Sequence, residues 1–322
     1  MSVWEEIVDY TVPSNTTSGD FTGLNITKDD FIKIYITFYN GPDGGNSIRI
    51  YANDNTNDSN YYRQYLIGDG SSILSGRVNN NSIASSGANE VSTSLSYLKV
   101  SENDKLNAFS NQVYDIGSSL QNRFQYQTST SSFTGGITKL TFTSARTNHF
   151  EANSRIQIYR LTAEKVADIT VSSNTTQVDI TGLNITKDSE YLLVSDIIKG
   201  TSGTSVLNLL VNDNTTETDY YMQRIIGDGS SVIANRQNRP FLINVFDDNR
   251  HMSYAHIKLS NIGAYTAQSY TIVNSGTSSI TARNHFISSL AENITSINKL
   301  NIRSNVSNGI GSGTRFELYK LY

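Results

Sequence analysis

The chain has 322 residues, a net charge of −4 and no cysteine. Its length allows two ordinary domains, and the lack of cysteine excludes disulfides, thiolate nucleophiles and Cys-ligated metals. The negative charge offers no basic surface for a nucleic acid, and no stretch approaches the roughly 18 apolar residues of a membrane helix. We therefore expect no nucleic-acid partner and no membrane insertion.

The N-terminal segment MSVWEEIVDYTV carries acidic residues early and lacks an apolar run, so we expect no signal peptide. Beyond it, apolar and polar residues alternate with period two, as in half-buried strands. The strands predicted in chain order are 31–39, 47–54, 138–144, 155–161, 205–213, 298–304 and 315–321. Clusters of Gly, Asn, Asp and Ser separate them, at 40–46, 68–72, 134–136, 199–205 and 309–314. The sequence therefore predicts an all-β fold of the antiparallel β-sandwich type, jelly-roll-like in form.

The chain contains an internal duplication. YYRQYLIGDGSS at 61–72 returns as YYMQRIIGDGSS at 220–231, and SNTTSGDFTGLNITKD at 14–29 returns as SNTTQVDITGLNITKD at 173–188. Both pairs are 159 residues apart. A period this long indicates tandem domains and not the short units of a solenoid.

The offset becomes 160 toward the end of each copy, so one residue of slippage falls between about 102 and 137. We predict one β-sandwich over 1–161 and a second, homologous one over 162–322. The junction RLTAEKV lacks Gly and Pro, which favours abutting domains over a loose tether.

The repeated tyrosine pair has a structural interpretation. If the segment is a strand, Tyr61 and Tyr62 point to opposite faces, one into the core and one outward. The Gly-Asp-Gly that follows supplies the left-handed conformations of a tight reversal. The alternative interpretation makes this motif a binding loop.

The chain has four histidines that could act as catalytic or metal-binding residues: His149, His251, His256 and His285. None pairs with another under the repeat offset, and the spacing of His251 and His256 does not fit the HExxH motif of zinc enzymes. The chain has no G-x-S-x-G elbow and no phosphate-binding loop. A glycosidase with paired carboxylates is an alternative, but we expect no catalytic residue, no cofactor and no enzymatic activity.

The Asp- and Asn-rich loops 53–58 and 212–219 are the best metal candidates, because hard oxygen ligands at alternate positions suit Ca²⁺. They lack the Gly and the bidentate Glu of an EF-hand, and Asn and Asp also favour turns for backbone reasons. Turn formation and calcium binding both stay open at this point. The candidate calcium ligands are Asp54, Asn55, Asp58, Asp213, Asn214 and Asp219.

The order of these elements resembles a β-sandwich module in virion surface proteins of tailed bacteriophages and related prokaryotic viruses. The resemblance rests on an opening WEEI at 4–7 and on a V/A-N-D…Y-Y segment in both copies, at 48–62 and 207–221. It also rests on the closing strands NSRIQIYRL at 153–161 and GTRFELYKL at 313–321.

Two positions depart from that plan: Ala163 stands where the second copy would open with Trp, and Asn153 where the first would close with Gly. Neither change alters the expected fold. The resemblance implies a non-enzymatic role on a virus particle, as capsid decoration, head fibre or tail-associated adhesion module, often trimeric.

We therefore expect a virion structural protein, made in the host cytoplasm, that docks on capsid or tail proteins and forms a homo-oligomer such as a trimer. The alternative is a tail-associated receptor-binding protein that holds a host glycan or surface protein. Copy one starts near Met1 and copy two ends near Tyr322, an economy that favours docking through the sandwiches themselves.

The two copies diverge most in 73–97 against 232–256, and in 102–137 against 261–297. We expect these stretches to carry whatever specialisation separates the copies.

Overall fold

The computed structural model describes residues 3–42, 44–68, 72–115, 120–201, 203–245, 250–274, 280–289 and 294–322. The chain divides into two compact units, 1–162 with 227–232, and 163–226 with 233–322. Each contains one eight-stranded and one four-stranded antiparallel sheet. The predicted fold of two tandem antiparallel β-sandwiches is confirmed. Among the described residues, no helix has the length and apolar character needed to cross a membrane.

The first sandwich contains twelve strands: β1 (Trp4–Thr11), β2 (Ser18–Ile26), β3 (Ile32–Tyr39), β4 (Asn46–Ala52), β5 (Tyr61–Gly68), β6 (Ile73–Val78), β7 (Ser82–Ser86), β8 (Val91–Val100), β9 (Lys105–Asp115), β10 (Leu120–Ser132), β11 (Ile137–Ser144) and β12 (Arg155–Leu161). The second contains β13 (Glu164–Thr170), β14 (Gln177–Ile185), β15 (Glu190–Ile197), β16 (Ser205–Val211), β17 (Tyr220–Asp228), β18 (Ser231–Gln237), β19 (Phe241–Val245), β20 (His251–Leu259), β21 (Tyr265–Asn274), β22 (Ile280–Ser289), β23 (Ile297–Ser304) and β24 (Arg315–Lys320). A single 3₁₀ turn precedes β5 and another precedes β17, at Asp58–Asn60 and Glu217–Asp219.

Both sandwiches have the strand order of a jelly roll. In the first, the small sheet runs β2-β11-β4-β7 and the large sheet runs β1-β12-β3-β8-β9-β10-β5-β6. Without β1, β12 and the β9–β10 hairpin, the large sheet would be β3-β8-β5-β6, which completes an eight-stranded jelly roll. The second sandwich repeats this order with β13 to β24.

The seven strands predicted from the period-two pattern are present, as β3, β4, β11, β12, β16, β23 and β24. Ile32, Ile34, Ile36 and Phe38 of β3 are fully buried, whereas Tyr35 between them is 39% exposed. The buried set packs with residues of the small sheet in one apolar cluster. Each fully buried Ile or Phe contributes about 1.5–3 kcal/mol, so this alternation fixes which face of the strand is turned inward.

The one-residue slippage between the copies falls in a hairpin connection. Gln112 pairs with Arg123 across β9 and β10, and the equivalent pair across β21 and β22 is Thr271 with Arg283. The first members are 159 apart and the second members 160 apart. Four residues connect β9 to β10 and five connect β21 to β22, so the additional residue belongs to the second connection.

The tyrosine pair lies as predicted, on opposite faces of its strand. Tyr61 is 1% exposed and belongs to the apolar core, whereas Tyr62 is half-buried on the other face. In the second sandwich Tyr220 is fully buried and Tyr221 is 43% exposed. The reversal after this strand uses Gly229 at φ 57°, the left-handed conformation predicted for the second copy; Gly70 of the first lies outside the described residues.

The inner tyrosine also closes the preceding loop. The Tyr61 hydroxyl donates to the Asn55 carbonyl at 3.1 Å and accepts from the Ala52 amide at 3.3 Å. Burial raises the pKa of Tyr61 to about 12, so the hydroxyl keeps its proton at neutral pH. Tyr220 makes the equivalent two bonds in the second sandwich. The inner position therefore needs the hydroxyl as well as the ring.

A residue in the left-handed conformation lies two positions before the closing strand in both copies. Asn153 has φ 70° and Gly313 has φ 83°. Asn tolerates this conformation better than other residues with a side chain, which explains why it stands in the first copy where Gly is usual.

The inner face of the first large sheet changes from apolar to polar along its width. On β8, Leu98 joins the apolar core, while the inward positions Ser96, Ser94 and Ser92 are small and buried. This polar half lies against β7, the terminal strand of the small sheet. Three side chains of the large sheet donate to β7 carbonyls: Gln112 to Ser85, Gln127 to Ser82, and Ser94 to Ile83. The edge of the small sheet is thus hydrogen-bonded by side chains in place of another strand.

The two tyrosine positions provide a matched test of this arrangement. Tyr61→Phe is expected to lower the free energy of unfolding of the first sandwich by about 1–2 kcal/mol, because the Ala52 amide loses its buried acceptor. Tyr62→Phe is expected to change it by less than about 0.5 kcal/mol. Urea unfolding followed by the fluorescence of Trp4, the single tryptophan, measures the free energy of unfolding of both variants. Equal losses would contradict the assignment of the structural hydroxyl to the inner tyrosine.

Candidate functional site

The Asp/Asn loops form sharp corners in both sandwiches. Asn53 and Asp54 have φ values of 49° and 62°, and their counterparts Asn212 and Asp213 have 50° and 60°. The Asn53 side-chain oxygen accepts from the amides of two residues at the start of β11, at 2.9 and 3.2 Å. Asn212 does the same at the start of β23. Both loops are therefore tied to the neighbouring strand by an asparagine in a left-handed conformation.

The six candidate calcium ligands contact protein cations and amides. Their hydrogen-bond partners in the first sandwich are Lys139 for Asp54, Asn60 for Asn55, and both Arg49 and Tyr51 for Asp58. In the second they are Lys299 and Asn301 for Asp213, and Asn214 for Asp219. Within the described residues, no group of three or more His, Asp or Glu side chains is placed to hold a metal ion. This arrangement supports the turn interpretation of the loops.

A lysine bridges two aspartates at the same place in each sandwich. The Lys139 ammonium lies 2.7 Å from Asp54 and 2.9 Å from Asp20. These hydrogen bonds raise the pKa of Lys139 and the Lys139 bond lowers the pKa of Asp20. Lys299 joins Asp213 and Asp179 in the same way. The duplication has preserved a link between two strands and the loop, which gives the repeated loop residues a structural role.

The histidines lie in separate surroundings. His149 Nδ1 is 3.4 Å from the Asn40 side-chain oxygen, and His256 Nδ1 is 2.8 Å from a Glu190 carboxylate oxygen. His251 and His285 are fully buried in β20 and β22. His285 lies in the polar interior of its sandwich, where its Nδ1 is 3.2 Å from the Ser269 hydroxyl.

A cavity of about 490 Å³, open to solvent over much of its extent, lies in the first sandwich. It is lined from the small sheet and its connections by residues that include Asn46, Ser85 and Arg146, and from the large sheet by Arg63, Tyr114 and Arg123. All its lining residues belong to the first sandwich. Sequence reasoning did not single out either large-sheet arginine.

Arg63 is a buried cation on the core face of β5. It is 8% exposed and stands between the inward positions of Tyr61 and Tyr65. Among the described residues it donates one hydrogen bond, from Nη1 to the Gln125 side-chain oxygen at 2.7 Å, and its Nε is buried without a partner. Burial, followed by the charge of Arg123, lowers the pKa of Arg63 to about 9.

Arg123 reaches the same cavity from β10. Its Nη1 donates to the Ser85 hydroxyl at 2.6 Å and its Nη2 to the Tyr114 hydroxyl at 2.9 Å. Its Nε is buried without a hydrogen-bond partner in the described part of the chain.

The Tyr65 ring lies within cation–π range of both guanidinium groups, whose central carbons are 5.4 Å (Arg63) and 5.8 Å (Arg123) from its centroid. Gly76, opposite Tyr65 on β6, leaves room for this ring, because a Cβ at Gly76 would overlap the phenol. The ring face partly offsets the proximity of two like charges.

The second sandwich replaces part of this set. Under the repeat offset, Met222 takes the place of Arg63, and Val273 that of Tyr114, while Arg283 retains the place of Arg123. Met222 belongs to the apolar core of its sandwich. The signal in the sequence was an arginine at an inward strand position, next to a core tyrosine, with an apolar counterpart in the other copy. Ser85, Tyr114 and Arg123 fall in the divergent stretches where specialisation was expected; Arg63 does not.

No protein family matches the sequence, and no curated protein matches it. Among solved structures, the chain is similar to domains LG4-5 of the mouse laminin alpha1 chain, with 10% identity over 95% of this chain and 86% of that one and a TM-score of 0.20. It is also similar to a monomeric dehydratase domain from a trans-AT polyketide synthase split module, with 8% identity over 74% and 84% and a TM-score of 0.12. Both scores are too low to carry an argument about function, and the sandwich architecture rests on the chain's own sheets.

The buried histidine of the second sandwich gives a pH prediction. Burial, with the nearby charges of Arg283 and Arg224, lowers the pKa of His285 well below its usual value. The unfolded chain therefore binds the proton first, and the second sandwich should lose stability as the pH falls below about 6.5, by up to about 1.4 kcal/mol per pH unit. His285→Gln, which introduces the residue of the first copy, should remove this contribution.

Urea unfolding by far-UV circular dichroism between pH 7 and pH 5 measures the effect, with Trp4 fluorescence as the reference for the first sandwich. Identical pH slopes for the wild type and His285→Gln would contradict the prediction.

Proposed function

We propose that this chain is a non-enzymatic structural protein of a virus particle, a capsid decoration protein that docks through its β-sandwich domains. The observation that carries the proposal is an exposed apolar position on the terminal strand of both large sheets. Leu74 of β6 is 54% exposed, and the equivalent Ile233 of β18 is 49% exposed. Ile73, beside Leu74, is 51% exposed.

β6 and β18 are suited to docking because of their position in the sheets. β6 and β18 end the order of their sheets, and a terminal strand presents backbone donors and acceptors that a neighbouring strand can pair with. A strand added there would also cover Leu74 or Ile233. β7, at one end of the small sheet of the first sandwich, is different, because side chains of the large sheet already donate hydrogen bonds to its carbonyls.

The features retained in both copies support a structural role. The lysine bridges at Lys139 and Lys299 and the inner tyrosines Tyr61 and Tyr220 all stabilise loops and strand contacts. A chain whose repeated residues maintain a framework is suited to presenting surfaces. Symmetric assembly on a particle would then multiply weak contacts through effective concentration. The assignment to phages and related viruses rests on the sequence resemblance.

The proposal is tested with the full-length chain. Light scattering after size exclusion is expected to show a homo-oligomer, or co-sedimentation is expected to show binding to assembled particles. Electron microscopy of particles carrying a labelled copy is expected to place the label on the capsid surface. A lone monomer without particle binding, or a label confined to the tail tip, would contradict a decoration role.

The edge positions give a mutational prediction. Combining Leu74→Lys with Ile233→Lys is expected to weaken self-association or particle binding at least about tenfold, because a charge must be desolvated at each edge contact. Ile262→Lys is the matched control: Ile262 is 63% exposed in the turn after β20. Sedimentation with unchanged thermal unfolding measures the effect, and equal loss in the control would argue against docking at these edges.

A further inference from the structure

The cavity of the first sandwich contains a buried positive charge, that of Arg63, for which the described residues supply no ion pair. The acid that acts on its charge, Asp58, is paired with Arg49 at 2.7 Å. An arginine that is 8% exposed is rarely left without an opposite charge, since burial removes the water that solvates the cation. This burial is accounted for if an anion occupies the cavity in the functional state.

The two arginines indicate the charge of a fitting ligand. Arg63 and Arg123 both line the cavity, and their guanidinium groups lie within cation–π range of the same Tyr65 ring. Guanidinium groups bind carboxylates, sulfates and phosphates through paired N–H donors. The pair therefore suits an anion and not a cation.

The volume and lining of the cavity indicate the chemistry of the uncharged part of the ligand. At about 490 Å³ it is in the size range of small-molecule sites and much larger than an inorganic anion needs. Hydroxyl and amide groups line it, including those of Asn46, Ser47, Ser85 and Tyr114. Groups that both donate and accept suit a ligand with several hydroxyls.

We propose that this cavity binds an acidic sugar, with its carboxylate on the guanidinium groups of Arg63 and Arg123 and its hydroxyls against the hydroxyl and amide groups of the lining. The site belongs to the first sandwich alone, because Met222 replaces Arg63 in the second. Sugar binding is independent of docking at the sheet edges. A decoration protein with such a site would also contact glycans on the host surface.

The test uses titration calorimetry or ligand-observed NMR on the full-length chain, with glucuronate, galacturonate and N-acetylneuraminate as probes and glucose as the neutral control. At least one acidic sugar is expected to bind saturably, and glucose is expected to bind at least about tenfold more weakly. Failure of all three acids, or equal binding of glucose, would overturn the proposal. Sulfate binding as tight as the best acidic sugar would overturn the sugar assignment.

Two variants locate the site. Arg63→Met, the residue of the second copy, is expected to weaken binding of the acidic sugar at least about tenfold. Arg155→Met is the matched loss of one positive charge, from an arginine paired with Asp9 on β1, and is expected to leave binding unchanged. Tyr114→Val, also taken from the second copy, provides a second cavity variant if Arg63→Met does not fold. Undiminished binding in a folded cavity variant would overturn the assignment, and because particle docking is measured separately, either hypothesis can fail alone.

Discussion

A four-stranded sheet cannot cover an eight-stranded one, and the interior of each sandwich depends on that mismatch. Where β2, β11 and β4 lie over the large sheet of the first sandwich, the inward residues are Ile, Leu and Phe and the core is apolar. Where the small sheet ends at β7, the inward residues become Ser, Gln and Arg. The backbone of β7 would otherwise remain unpaired in the interior, so the polar side chains beneath it have a structural role. The arginine cavity lies in this same polar half.

The comparison of the two copies separates what the fold requires from what it tolerates. The asparagine corners, the lysine bridges and the inner tyrosines occur in both sandwiches with nearly the same distances. The inward residues of the polar half differ: Arg63 corresponds to Met222 and Gln125 to His285. The first substitution extends the apolar core of the second sandwich, which includes Met222, and the second exchanges one buried polar side chain for another. The two copies could therefore diverge in chemistry without losing their common framework.

Much of the fold could be predicted from the sequence because strand alternation and repetition are local or one-dimensional signals. The inner and outer tyrosines follow from period two, and the tandem sandwiches follow from an offset of 159. The binding partners of the Asp and Asn loops could not be predicted in this way, because the lysines that bind Asp54 and Asp213 come from strands about eighty-five residues away along the chain. The arginine cavity could not be predicted either. The burial of Arg63 depends on which strand of the other sheet lies over it, and alternation within β5 does not specify that.

The β9–β10 hairpin enters the jelly roll between two strands that would otherwise be neighbours, β8 and β5. Its inward glutamines and Arg123 are the side chains that meet the end of the small sheet. Excising it would bring β8 beside β5 and leave six strands in the large sheet over four in the small one. The hairpin therefore widens the large sheet by two strands, and the inward positions that it adds, such as Gln112 and Gln125, hold Thr271 and His285 in the second copy.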